Sequence, residues 1–126
     1  MTRFAAVVAL LPIAAAGAAL AESGALTGPL LHQAVAGKTV SISSPVGTIP
    51  VKYRMNGTMS GSSTALAAVT GTARDSGRWW VSGDKLCQRW SAWLDAKTHC
   101  VTLRRSGATL HWAASDGRTG IASVSR

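Results

Sequence analysis

Residues 77–100 read GRWWVSGDKLCQRWSAWLDAKTHC and hold both cysteines and four of the five tryptophans of the chain. Alternation puts Trp79 and Val81 on one side of an extended run and Arg78, Trp80 and Ser82 on the other. Ser82-Gly83-Asp84-Lys85 then turns the chain, and Leu86, Gln88 and Trp90 oppose Cys87, Arg89 and Ser91. Residues 91–97 form a longer loop carrying Trp93. In the strand that follows, Val101 and Leu103 oppose Cys100, Thr102 and Arg104. The segment is a hairpin pair in which Cys87 and Cys100 each stand opposite the more apolar set, the arrangement of a cross-strand disulfide outside the main core.

Working outward, residues 38–43 and 48–54 are two further strands joined by Ser44-Pro45-Val46-Gly47. Asn56-Gly57 is a hairpin turn of the type I′ kind, since both residues tolerate positive φ. With Thr58 it also spells a glycosylation sequon, which turn chemistry accounts for without invoking a sugar. Residues 60–72 (SGSSTALAAVTGT) read as one weak strand. Ser106-Gly107 and Asp116-Gly117 turn the chain around a strand with Leu110 and Trp112 on one side and His111 on the other. Ahead of the strands, Thr27 as N-cap, Pro29 in the first turn and Gly37 past the end bound a short helix. Its Leu30, Leu31, Ala34 and Val35 share one side. The fold class is all-β: an antiparallel meander or barrel of about seven or eight short strands after one short helix, closure removing the exposed edges.

At 126 residues the chain has room for one domain. Residues 4–20 (FAAVVALLPIAAAGAAL) follow a basic start at Arg3 and end in Ala19-Leu20-Ala21, the pattern of a cleaved signal peptide over residues 1–21. The run is shorter and more alanine-rich than a spanning helix. The mature domain is expected over residues 22–126, periplasmic or secreted, with no membrane span. In such a compartment two cysteines 13 positions apart are most simply one disulfide. On the chain-entropy model that bond is worth about 3 kcal/mol.

The formal charge is +8; without Arg3, 12 basic residues against five acidic ones leave +7. Such a surface attracts anionic envelope components or acidic proteins. Export argues against nucleic acid. Within it, Arg78, Trp80, Arg89, Trp93 and Arg104, with Arg105 beside them, interleave cations with aromatics, a pattern that holds acidic sugars or an anionic partner by stacking plus charge. The competing reading places Trp93 under its loop and leaves the arginines to solvate the outer surface.

Gly77-Arg78-Trp79, then Gly83-Asp84-Lys85-Leu86-Cys87 and the downstream Cys100, resemble a family of small exported proteins of Gram-negative bacteria, over roughly residues 26–124. The resemblance implies an exported β-rich domain with no established activity. Some relatives carry reductase names such as dihydrodipicolinate reductase, but the G-x-G-x-x-G of a nucleotide fold is missing here. Trp79 to Asp84 (WWVSGD) is also similar to the W-x-x-x-G-D turn of periplasmic barrel inhibitors of metalloproteases, although both cysteines here lie in the second half of the chain.

His99, His111 and Cys100 invite zinc, yet His99 and Cys100 are consecutive in a strand and face opposite ways. Asp75-Ser76-Gly77 has the look of a serine nucleophile region, but a triad needs more scaffold than this domain holds, and a plain turn is the simpler reading. Asp84, Asp95 and Asp116 sit in turns, where Asp is favoured locally. No catalytic residue, metal ligand or cofactor is assigned. The reading is an exported, non-enzymatic binding module, with an inhibitor of a secreted protease or lytic enzyme as the first alternative and a small enzyme as the second.

Overall fold

Period-two alternation begins at Lys38 and continues, strand after strand, to the end of the chain. In the computed structural model, which describes residues 24–126, it produces eight antiparallel strands: β1 (Lys38–Ser44), β2 (Gly47–Tyr53), β3 (Thr58–Ser62), β4 (Arg74–Ser82), β5 (Lys85–Trp90), β6 (Thr98–Ser106), β7 (Thr109–Ala114) and β8 (Thr119–Ser125). Each pairs with the next, and β1 pairs with β8 to close a barrel. The leader expected over residues 1–21 lies outside the described residues. Among those described, no helix is long and apolar enough to cross a membrane.

The register shows why these residues make this barrel. Val40 stands opposite Val51 and Val124, Tyr53 opposite Met59, Val81 opposite Leu86, Leu86 opposite Val101, and Leu110 opposite Ala122. The inward set is therefore continuous around the wall, as the pleat requires. Trp79, Trp90, Met59, Val51, Leu103 and Leu110 are buried within it.

Inward indoles need room, and glycine on the neighbouring strand supplies it. Gly77 stands opposite Trp90, and Gly120 opposite Trp112. A Cβ at Gly120 would lie 2.5 Å from Trp112 Cζ2, and one at Gly61 would lie 2.8 Å from Trp93 Cζ3. At Gly77 the obstacle is backbone, the Arg89 carbonyl oxygen. Glycine inside a strand marks such close approach.

One end of the barrel is covered by α1 (Gly28–Val35), which packs against β4, β1 and β5. Leu31, Ala34 and Val35 are buried, whereas Leu30 is 61% exposed, because the covered arc spans only part of the helix. Thr27 stands at the N-cap without a side-chain bond; its backbone oxygen accepts from Leu30 N at 3.1 Å. The indole of Trp79 meets His32 of this helix at 5.0 Å between ring centroids and the ring of Tyr53 edge-on at 5.7 Å. Trp79 Nε1 donates to the Arg54 carbonyl at 2.9 Å, and the Tyr53 hydroxyl donates to Gln88 Oε1 at 2.8 Å. Burial pushes the Tyr53 phenol up, keeping it a neutral donor.

Three local expectations are corrected. Residues 60–72 split into the end of β3 and a short helix, α2 (Thr64–Thr70), with Ser63 Oγ accepting from Leu66 N at 3.1 Å and Gly71 in the left-handed region at the other end. The Asn56-Gly57 turn has positive φ at Gly57 alone; Gly57 N donates to Arg54 O and Arg54 N to Thr58 O, the three-residue hairpin with a glycine bulge instead of type I′. Asn56 Oδ1 accepts from Thr58 N and Oγ1, so the sequon residues are engaged in the turn. Asp75, Ser76 and Gly77 lie inside β4, not in a turn.

Trp79 is 4% exposed and Trp80 40% exposed, as their parity dictates. Trp79→Ala is therefore expected to cost about 3–5 kcal/mol, as for other buried aromatics. Trp80→Ala should cost less than about 1 kcal/mol. Thermal or urea unfolding of the two variants checks this; equal losses would place Trp80 in the core.

Candidate functional site on the outer wall

The outer wall of β4 and β5 is set by the same parity that fills the core. Arg78 stands directly opposite Arg89, and Trp80 directly opposite Cys87, which in turn faces Cys100 on β6. Cys87 and Cys100 form the disulfide, tying β5 to β6 beside the exposed indole. Cys87 is buried although it faces outward, flanked by Trp80 and Cys100. The pairing and its position outside the barrel interior agree with the sequence reading.

An open groove of about 360 Å³ runs over this wall, lined by Arg78, Trp80, Arg89, Ser91 and Ala96, with Gly77 and Trp90 at its floor. Cross-strand neighbours lie about 5 Å apart at Cβ, and like charges placed so repel. Among the described residues neither arginine has a carboxylate within salt-bridge distance; the ion pairs there are Lys85 with Asp84 and Arg118 with Asp116. Arg89 Nε donates instead to the Ala96 carbonyl at 2.9 Å. That bond holds the guanidinium by its Nε in a side chain that lines the groove.

The loop supplying that carbonyl is unusual. After β5 the chain turns over Trp93–Ala96, where Leu94, Asp95 and Ala96 all have φ between 55° and 57°. Left-handed backbone costs a residue with a Cβ roughly 1–2 kcal/mol, and here three stand in a row. Anchors on either side hold them. Asp75 Oδ2 accepts from Ala92 N and Trp93 N, both at 2.8 Å, and Trp93 Nε1 donates to the Thr72 carbonyl at 2.9 Å. The Trp93 ring packs on Trp90 with centroids 4.7 Å apart.

Of the residues read as a binding surface, the structure brings together Arg78, Trp80 and Arg89. Trp93 does not join them: at 3% exposed it fills the barrel end remote from α1, drawn inward by the room at Gly61 and by its bond to Thr72. Arg104 is on β6 six residues beyond Thr98, the residue level with Arg89, and so lies about 20 Å along the strand. It stands opposite His111 and next to Ala25 of the entering chain. Arg105 donates from Nε to Gly107 O within its own hairpin. His99 faces inward opposite Gln88, while Cys100 and His111 face outward. Among the described residues no three His, Cys, Asp or Glu side chains converge as metal ligands would.

Asp75 and Ala96 were missed as parts of this site. Asp75 is a lone acid in an otherwise apolar and small inward row, which is the available signal for a local anchor; nothing in residues 94–96 announces three left-handed residues. Comparison with protein-family models, with characterised proteins and with solved structures finds no match for this chain.

Burial raises the Asp75 carboxyl, but the backbone N–H donors of Trp93, Ala92 and Ser76 outweigh it and hold the group below its usual range. A carboxyl more acidic when folded stabilises the fold above the unfolded value of about 4, and that contribution is lost as pH falls through the folded value. Asp75→Asn should therefore lower the melting temperature at neutral pH and shrink the drop that the wild type shows as pH falls below about 4. Melting curves across that range check it; parallel pH profiles would show that Asp75 does not anchor the loop.

Proposed function

We propose that this chain is an exported, non-catalytic binding module acting in the periplasm or outside the cell; the G-x-W, G-D-x-L-C and downstream Cys resemblance supports the exported β-rich domain, and the binding role is read from the outer wall. The observation that carries the reading is the Arg78, Trp80 and Arg89 groove. Two unneutralised arginines are set directly opposite each other beside a 40% exposed indole, on a wall cross-linked by a disulfide. Each choice is unfavourable to the isolated fold: repulsion between like charges and an aromatic left in water. Both become favourable when an anionic surface covers them, and Trp and Arg are the residues most enriched where partners bind. The disulfide supports an oxidising compartment, and the leader-like segment at residues 4–20 supports export.

Inhibition of a secreted protease or lytic enzyme is the alternative, supported by the barrel architecture and the WWVSGD turn. The test is affinity capture from native cell envelope with the oxidised mature domain as bait, alongside Trp80→Ala and Arg89→Ala. The module reading predicts a component held by the wild type and lost by both variants. A protease retained in a one-to-one complex and inactivated there would favour the inhibitor. Retention unchanged in both variants would remove this wall from the account.

A further inference from the structure

Resting on that reading, we propose that the groove takes an anionic sugar: a ring whose flat C–H side stacks on Trp80 and whose carboxylate or phosphate is held between Arg78 and Arg89. Guanidinium pairs match such oxyanions because each presents parallel N–H groups that donate to two oxygens of one oxyanion. Arg89 is already oriented by its Nε bond to Ala96 O, so its terminal nitrogens lose little freedom on binding. The indole supplies the one apolar platform, and the Ser91 hydroxyl, which donates to the Ser76 carbonyl at 2.8 Å, is left as an acceptor at the rim.

Size and composition favour a sugar over a protein face. The groove is open and has a short lining of two arginines, one exposed indole and one hydroxyl, the form of a surface subsite that a sugar ring can lie across. A stable protein interface needs about 800 Å² on each partner, with several large anchors. On this wall only Trp80 and, at its edge, Leu94 are exposed large hydrophobics. Elsewhere the outward positions of β4, β5 and β6 are Ser, Thr, Arg and Lys, apart from the disulfide pair.

The left-handed turn gives the groove its fixed shape. Strained backbone persists where neighbouring contacts over-determine it, and it concentrates at ligand clamps. Here its last residue, Ala96, both lines the groove and carries the carbonyl that orients Arg89.

The test titrates the oxidised mature domain with oligogalacturonate, with glucosamine 1-phosphate, with a neutral cello-oligosaccharide and with polyglutamate, following the backbone amide signals of β4 and β5 by NMR. The expected result is saturable binding of one or both acidic sugars, with the neutral sugar inert. Arg78→Ala, Arg89→Ala and Trp80→Ala should each weaken it about tenfold or more, the loss of one charged hydrogen bond or one stacking contact. Binding should also weaken as salt rises from about 20 mM to about 200 mM. Whether the uronate or the sugar phosphate binds identifies the oxyanion. Polyglutamate binding as tightly as both would reduce the site to bare charge and overturn the sugar assignment. If no acidic sugar binds while the envelope capture still depends on Trp80, the ligand class is wrong and the binding wall stands; if that capture fails too, both fall.

Discussion

The constraint on which the structure depends is space inside an eight-stranded barrel. Such an interior is just wide enough for side chains to fill it, and this one holds the indoles of Trp79, Trp90, Trp93 and Trp112. Three of them have glycine to make the room: Gly120 beside Trp112, and Gly61 under Trp93 and against the edge of Trp90. Large and small residues alternate around the wall, the usual way a small barrel is filled. The indole N–H groups of Trp79 and Trp93 then find backbone carbonyls, at Arg54 and Thr72, and so tie the packing to the loops at the two ends.

This allocation decides what is left for the outside. With the interior given to four tryptophans, the fifth, Trp80, is sent outward by the pleat and lands between Arg78 and the disulfide. The loop at the far end shares both tasks: Asp75 and Thr72 pin Trp93 into the barrel, and the same turn delivers the Ala96 carbonyl to Arg89. Packing and the candidate site are therefore linked through residues 91–97, and a change that frees Trp93 will also release Arg89.

What was legible in the sequence follows from how local its cause is. Alternation is a property of the strand itself, so the sides of Trp79, Trp80, Leu86, Arg89 and Leu103, and the Cys87 and Cys100 pairing, were readable. The helix over residues 64–70 carried its signals, Ser63 and Gly71, but Thr and Val in between masked them with strand propensity. Trp93 and Arg104 were grouped with the binding surface on composition. Their separation is tertiary: one is drawn in by space that Gly61 leaves, the other displaced by the length of β6. The left-handed turn is held by anchors at Asp75 and Thr72, 18 and 21 residues from Trp93, so a short window around residues 94–96 does not contain them.

The most direct test of this account is a double-mutant cycle between Gly120 and Trp112, where the obstacle to a Cβ is the facing side chain and not backbone. Among the described residues Trp112 Nε1 is buried without a hydrogen-bond partner, so replacing the indole also removes that donor. Gly120→Ala alone should destabilise by about 1–3 kcal/mol, as overpacking does. In a Trp112→Leu background the same change should be nearly neutral, giving a coupling above about 1 kcal/mol. An equal cost in both backgrounds would contradict the claim that glycine makes the room on which the barrel is built.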